Sequence, residues 1–326
     1  MTNLKNIELP GIKEIEKAYK HIQKYSHQTP LMTSQYFNYI SGSNIVFKCE
    51  NFQKGGAFKI RGALNAVFNN LSEHQKTGIT THSSGNHGQA IALAASMNDI
   101  KVNIVMPENA PKVKIEAVRS YNAEITFCKP TLKDREETME RLINLYGYKP
   151  IHSYNDIRVI TGQASASLEM LDQLSYKPDY IVTPIGGGGL ISGTCLTRNY
   201  VSPKTKVIAA EPLMANDAYL SFKKKEFVPS YSPNTIADGL KTSLGSITYK
   251  IVLEMVSDIL LANEDSIINT MKLIWERMKI IVEPSSAVAL AVILDNKKIF
   301  KNKTVAVILT GGNVDLNNLP WLNSKV

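Results

Sequence analysis

The stretch DYIVTPIGGGGLISGTCLTRNY, residues 179–200, reads as a strand, a turn and a helix in succession. A run containing Ile181, Val182 and Thr183 ends at Pro184, four glycines follow from Gly186 to Gly189, and apolar residues then recur at helical spacing from Leu190. Strand, glycine turn and helix form the unit of a parallel sheet with helices packed on its faces. The same alternation extends outward in both directions. Strands are expected over 42–48, 78–82, 101–106 and 123–128, and helices over 58–70, 86–97, 111–121 (opening with a proline), 132–146 and 162–174. Beyond the glycines, strands are expected over 206–210 and 304–309, and helices over 264–279 and 285–294. The pattern predicts an α/β fold of open, mostly parallel twisted sheets flanked by helices. The strands within 78–150 form a compact set, which predicts a small domain (78–150) inserted into a large one (1–77 and 151–326). There is no internal repeat or low-complexity segment, and 214–236 reads as the least regular region.

Composition narrows the class. The chain has 326 residues, with 37 basic and 29 acidic side chains giving a formal net charge of +8; 44% is hydrophobic and 20% charged. That balance supports a buried core and argues against general disorder. No apolar run reaches the ~18 residues of a membrane span, and the first ten residues lack the layout of a secretory signal. Cys49, Cys128 and Cys195 show no CxxC spacing, which fits a reducing compartment, so a cytoplasmic protein without a membrane partner is expected. The lysines are scattered, the densest runs being 223–225 and 297–303, and no nucleic-acid-binding signature accompanies them. No nucleic-acid partner is expected. A diffuse positive potential would instead favour a small anionic substrate.

Three loops follow strands, where ligands of such sheets bind. Gly186, Gly187, Gly188 and Gly189 let successive backbone N–H groups converge on an anion at a helix N-terminus. A tight turn without ligand is the alternative. Neither GxGxxG nor the P-loop pattern is present, so a phosphate monoester suits the loop better than a pyrophosphate. Ser83-Ser84-Gly85-Asn86-His87-Gly88 offers hydroxyls, an amide and helix-start N–H groups to a carboxylate, or simple helix capping. Thr310-Gly311-Gly312-Asn313 closes the last strand with a hydroxyl. Lys59, beside Phe58 at an expected helix start, would lose proton affinity by desolvation and by the helix dipole. A neutral lysine forms Schiff bases. With a monophosphate cup, it points to pyridoxal 5′-phosphate, an aldehyde carrying one phosphate.

The motifs FQKGGAFKIRGALNAV (52–67), THSSGNHGQA (81–90), PIGGGGL (184–190), AAEP (209–212) with Asp217, IADGLK (236–241), WERMK (275–279), EPSSA (283–287) and LTGGNVDL (309–316) occur in the order and spacing of fold-type II pyridoxal-phosphate enzymes. Over about residues 10–320 the chain resembles the serine racemase and serine/threonine dehydratase family. The resemblance implies the tryptophan synthase β-like fold and a homodimer. It implies that Lys59 holds the cofactor covalently and acts as a base on one face of the substrate. Gly186–Gly189 would bind the phosphate, Phe58 pack on the ring, Asn86 bond the 3′-oxygen, Gly239 lie beside the ring and Thr310 meet the pyridine nitrogen. Ser83, Ser84, Asn86, His87 and Arg135 would receive the substrate. Ser84 stands where racemases of the family place a serine opposite the lysine, as two-sided proton transfer requires; a carboxylate- or cap-binding role is its alternative. Arg135 would suit a second carboxylate, as in 3-hydroxyaspartate, or else pair with Glu136 or Glu140 at the surface.

Glu211, the Ala215 carbonyl and Asp217 match the family's divalent-cation site, suited to Mg²⁺ or Ca²⁺. Lys54, Gln89, Lys114, Tyr121 and Arg277 match an intersubunit ATP effector site, although Gly55 replaces a usual threonine. Other departures lie near the pocket. Ala57 replaces a serine, Ser165 ends a GQAS stretch where GQGT is usual, and Tyr154, or Asn155 by a one-residue shift, stands where an asparagine is common. The implied activity is β-elimination of water from L-serine, L-threonine or 3-hydroxyaspartate to a 2-oxo acid and ammonia, with serine racemisation. A dedicated racemase and a non-enzymatic amino-acid or nucleotide-binding module on the same fold are the competing readings.

Overall fold

A computed structural model describes residues 8–110 and 112–322. The chain opens with α1 (Ile12–Ile22), β1 (Leu31–Thr33), α2 (Gln35–Ser41), β2 (Asn44–Cys49), α3 (Lys59–Asn69) and α4 (Leu71–Thr77). Next come β3 (Ile79–His82), α5 (Asn86–Ser96), β4 (Val102–Pro107), α6 (Lys112–Arg119), β5 (Glu124–Cys128), α7 (Leu132–Tyr146) and β6 (Lys149–Pro150). The remainder is α8 (Ile157–Gln173), β7 (Tyr180–Pro184), α9 (Gly189–Val201), β8 (Lys206–Pro212), α10 (Asp217–Lys224), α11 (Ser246–Met255), β9 (Asp258–Ala262), α12 (Glu264–Met278), α13 (Pro284–Asp295), α14 (Lys297–Phe300) and β10 (Thr304–Leu309).

These strands form two sheets. One has six strands in the order β1-β2-β10-β7-β8-β9, parallel except for the antiparallel edge strand β1. The other has four parallel strands in the order β5-β4-β3-β6. Because β10 pairs with β7 in parallel, Thr310 and the glycine loop emerge at the same sheet edge. The buried strands carry the apolar, β-branched residues that parallel sheets need on both faces, as in TVAVIL over β10. Helix α13 is buried from Ser285 to Ile293 and packs against the large sheet with α12. Each fully buried Val, Leu or Ile contributes about 1.5–3 kcal/mol.

Under the small sheet, Ile79, Ile91, Val102 and Ile104 share one core with Ile60, Leu64 and Val67 of α3, and with Ile151 and Val159. That core therefore takes in residues on both sides of the 78–150 segment. Helices α3, α8 and α9 pack closely at glycines: a Cβ on Gly162 would fall 2.5 Å from the Arg61 carbonyl oxygen, and one on Gly193 2.6 Å from the Ala164 nitrogen.

Several elements differ from the sequence reading. Helix α8 begins at Ile157 rather than at 162, capped by Asp156, whose carboxylate accepts the Arg158 N–H at 2.9 Å. Gly162 marks a helix crossing there, not a start. The expected irregular region contains α10, and edge strands β1 and β9 are not among the expected strands; β1 has only three residues, too few to show a period. The proline expected to open α6 lies outside the described residues, as do residues 1–7. No helix among the described residues is long and apolar enough to cross a membrane.

Candidate active site

Lys59 opens α3, and its backbone is fixed from the large sheet. The Phe58 N–H donates to the Thr310 carbonyl at 3.0 Å, and Ala57 bridges Gly311. The Lys59 amine faces a cleft, 3.4 Å from the Ser153 carbonyl and 5.2 Å from the centroid of the Phe58 ring. Burial lowers its pKa to about 8, against the opposing pull of Glu283. About a tenth of the amine is therefore the nucleophilic free base at pH 7, against well under a thousandth for an ordinary lysine.

Gly186–Gly189 lie beside that cleft. Among the described residues, none of their N–H groups is given to a protein acceptor, and α9 aims its N-terminus at the same place. The loop is enclosed. A Cβ on Gly187 would fall 2.2 Å from the Tyr154 ring, one on Gly189 3.0 Å from the Tyr154 Cβ, and one on Gly186 3.0 Å from the Leu240 Cα and 3.2 Å from the Gly239 carbonyl. Gly188 has φ +88°, a conformation that favours glycine. Gly239 is held by its N–H to Ser285 Oγ at 3.0 Å. Ser153 and Tyr154 thus connect the amine to the cup. Tyr154 is the residue facing the cup, with burial pushing its phenol up to about 12. Asn155 turns away: its Oδ1 accepts the Ile247 N–H at 2.9 Å and its Nδ2 donates to Ser246 Oγ at 3.2 Å, capping α11.

After β3, Ser83 Oγ accepts the Gly85 N–H at 3.3 Å, so the local turn uses Ser83. Gly85, which supplies no side-chain cap, precedes α5. Ser84 has no side-chain hydrogen bond among the described residues and is partly accessible. Asn86 Nδ2 donates to both Glu283 oxygens, at 2.9 and 3.1 Å, and Asn86 Oδ1 accepts from Asn313 Nδ2 at 2.9 Å. Burial raises Glu283 to about 7, reinforced by Asp238. His87 is buried, with Nε2 3.4 Å from the Ile151 carbonyl and Nδ1 unpartnered. Burial holds it far below its usual pKa, with the Lys59 charge adding to this.

Arg135 lies in the first turn of α7. It forms no ion pair with Glu136 or Glu140 among the described residues, and its buried Nε lacks an acceptor. It faces His82, whose pKa falls to about 4 through burial, His152 and Arg135 in that order. The His82 and His152 rings meet edge-on at 6.2 Å. His152 Nδ1 accepts the N–H groups of Tyr154 (3.3 Å) and Asn155 (2.9 Å), which fixes the proton on Nε2. The result is a wall of two neutral imidazoles and one guanidinium, and no carboxylate pairs with that guanidinium among the described residues.

The remaining expected residues fall into two groups. Glu211 accepts the N–H groups of Ala218 and Tyr219, each at 2.8 Å, while both oxygens of buried Asp217 lack a donor at hydrogen-bonding geometry. Burial raises both carboxyls, Asp217 to about 6. Among the described residues no three His, Cys, Asp or Glu side chains gather, so a cation here would rely on the Ala215 carbonyl and water for its other ligands. Gln89 and Lys114 line a cavity of about 570 Å³ with Asn86, Asp238 and Asn313, and Lys114 pairs with Asp238. Arg277 lies elsewhere, 4.4 Å over the Tyr36 ring, and Tyr121 packs against the small-sheet core. Neither Lys54 nor these two joins Gln89 and Lys114 in that cavity.

Residues 22–311 match the family described as "Pyridoxal-phosphate dependent enzyme". The chain belongs to that family. It is 48% identical to a serine racemase of Dictyostelium discoideum over 94% of this chain and 96% of the other. It is 46% identical to a beta-hydroxyaspartate dehydratase of Paracoccus denitrificans (strain Pd 1222), over 96% and 99%. The crystal structure of the Dictyostelium enzyme superposes with a TM-score of 0.89, covering 94% of this chain and 99% of that one. This chain is thus a pyridoxal-phosphate enzyme of the racemase and ammonia-lyase type. The site fits the cofactor: an uncommitted N–H cup, closed against any Cβ at Gly187, lies beside a buried low-pKa amine.

Three features escape sequence reasoning. Glu283 opens EPSSA and reads as an ordinary residue before a helix proline. His82 and His152 meet only because β3 and the segment after β6 are neighbours. A buried ion cluster around Arg61 leaves one trace in sequence, Lys48 within the apolar run of β2.

Proposed function

We propose that this chain eliminates water from 3-hydroxy amino acids, giving a 2-oxo acid and ammonia, with 3-hydroxyaspartate preferred over L-serine and L-threonine. The observation that carries this reading is the buried Arg135 Nε without an acceptor, on a wall shared with His82 and His152. A guanidinium with no carboxylate partner suits a substrate bearing a second carboxylate. When bound, pyridoxal phosphate supplies an electron-withdrawing ring that acidifies the substrate's Cα–H. Lys59 would hold the cofactor, and its free amine would serve as the base for the Cα proton. Gly186–Gly189 would hold the phosphate, Thr310 would meet the ring nitrogen, and Ser83–His87 would receive the α-carboxylate. The β-hydroxyl departs with a proton as water, and one water returns to hydrolyse the imine tautomer of the released 2-amino-2-alkenoic acid to the 2-oxo acid and ammonia.

Arg135→Leu tests the substrate assignment. It should lower kcat/KM for L-threo-3-hydroxyaspartate about 100-fold, the ~2–3 kcal/mol of a charge-assisted hydrogen bond, and that for L-serine less than about threefold. Equal losses on both substrates would overturn it. Ser84, with its uncommitted hydroxyl, supports a second activity, racemisation of serine. Ser84→Ala should abolish D-serine formation and retain elimination.

Other features belong to the same reading. A Mg²⁺ or Ca²⁺ bound by Glu211, Asp217 and the Ala215 carbonyl orders the loop before α10, supported by the donor-free Asp217 oxygens. ATP acts as an effector between the subunits of a cytoplasmic homodimer, supported in one chain by Gln89 and Lys114 alone. The small domain, 78–150, carries the substrate loop and Arg135, while the large domain, 1–77 and 151–326, carries Lys59, the glycine cup and Thr310.

A further inference from the structure

On the side of α3 away from the cleft lies a fully buried ion cluster. Arg61 donates from Nε and Nη2 to Glu50, at 2.7 and 2.8 Å, and from Nη1 and Nη2 to Glu169, at 3.2 and 2.8 Å. Lys48 places its ammonium against Glu169 (2.6 Å), Gln173 Oε1 (2.7 Å) and the Thr29 carbonyl (2.8 Å). Thr29 Oγ1 closes the ring onto Glu50 at 2.6 Å. Lys48, Glu50, Arg61 and Glu169 are each at most 1% exposed, so two cations and two carboxylates balance out of water.

Such a cluster is a poor device for stability, because apolar side chains of similar volume serve as well or better. It is a good device for direction. A guanidinium fork bound to two carboxylates has one orientation, whereas an apolar side chain has several. Arg61 follows Lys59 by two residues in the first turn of α3, so the two side chains project about 200° apart around the helix. The Lys59 amine itself has little to hold it, its one hydrogen bond among the described residues being the 3.4 Å contact to the Ser153 carbonyl. Its direction is therefore set by the rotation of that first turn.

We propose that the Lys48–Glu50–Arg61–Glu169 cluster is a positioning device, whose work is to fix the azimuth of α3 and so aim the Lys59 amine into the cleft. This rests on the reading of Lys59 as the cofactor lysine.

The test compares the wild type with an apolar replacement of the cluster (Lys48→Met, Glu50→Leu, Arg61→Met and Glu169→Leu together). A second variant, Thr29→Val, keeps the shape and all four charges but removes the hydroxyl's bond to Glu50 and its longer, 3.4 Å contact to Glu169. Three readouts are taken: the melting temperature; kcat and KM of the holoenzyme; and the pH dependence of trace acetylation of Lys59 in the cofactor-free chain, which reports the amine's own pKa. The apolar variant should melt at or near the wild-type temperature, lose at least tenfold in kcat with little change in KM, and raise the amine pKa by about one unit as the amine leaves its buried setting. Thr29→Val should move kcat and the pKa in the same directions by a smaller amount, about threefold in kcat. If the apolar variant does not fold, Thr29→Val decides. Unchanged kcat and amine pKa in a folded variant would overturn the proposal. Borohydride reduction of the wild-type holoenzyme followed by peptide mapping separates the two readings. A label on another lysine refutes the Lys59 assignment and this proposal together; a label on Lys59 with unaltered variants refutes the positioning role alone.

Discussion

Replacing Gly187 by alanine isolates one steric contact in the glycine cup. Its backbone conformation is open to any residue, so the substitution adds a methyl group without backbone strain. That Cβ would lie 2.2, 2.3 and 2.4 Å from Cδ1, Cγ and Cε1 of Tyr154. Ordinary carbon contact begins near ~3.5 Å, so the ring must retreat by about 1 Å. Its retreat is limited by the His152 ring, which stands 4.6 Å away, centroid to centroid, and edge-on, with its Nδ1 accepting the N–H groups of Tyr154 and Asn155. Overpacking of this kind costs about 1–3 kcal/mol. If the whole cost falls on the cup, the affinity for pyridoxal phosphate drops about 5- to 150-fold. Titrating cofactor-free protein with pyridoxal phosphate, and following the visible band, measures the loss. The double variant Gly187→Ala/Tyr154→Ala should recover to within about threefold of Tyr154→Ala alone, because the clash is the coupling. Wild-type affinity in Gly187→Ala, or no recovery in the double variant, would refute the packing argument.

Three further outcomes follow from the charges at the site. With Lys59 lowered to about 8, the rate of cofactor addition to the cofactor-free chain should rise about tenfold per pH unit below pH 8 and level off above it; a flat stopped-flow profile would contradict the assignment. Glu283, raised from 4.5 to about 7 by burial, keeps a proton in the folded chain that the unfolded chain releases. Stability should therefore fall as pH rises between those values, and Glu283→Gln should flatten that part of the melting curve measured against pH. Chelation should lower the wild-type melting temperature by roughly 1.5 °C for each kcal/mol of cation binding. In Asp217→Asn it should have no effect; equal sensitivity of the two proteins would remove the cation from the loop.

Much of the architecture was legible because its signal is local. The change of period across Gly186–Gly189 marks a strand and a helix without reference to anything distant, and β7 and α9 follow it. The start of α8 was missed because Gly162 looks like a boundary residue, whereas it serves a tertiary crossing with α3. In the site, Lys59 and the glycine cup are legible because their chemistry is carried by consecutive residues. Glu283, His82 and His152 are not, since each acquires its role from a neighbour far away in sequence: Glu283 from Asn86, and His152 from His82. Tyr154 and Asn155 show how fine the limit is. The sequence left the two interchangeable, and only the cap on α11 decides which one faces the cup.

Helix α3 is stapled at its first turn to the end of β10, yet its later turns lie within the core of the small sheet. A rod shared in this way behaves as an axle. A closing of the small sheet would swing Ser84, His87 and Arg135 about it, with the amine nitrogen near the pivot. On the proposed assignment, the groups that would sort substrates sit on the rim and the group that would anchor the cofactor at the hub, so that one could be retuned without disturbing the other.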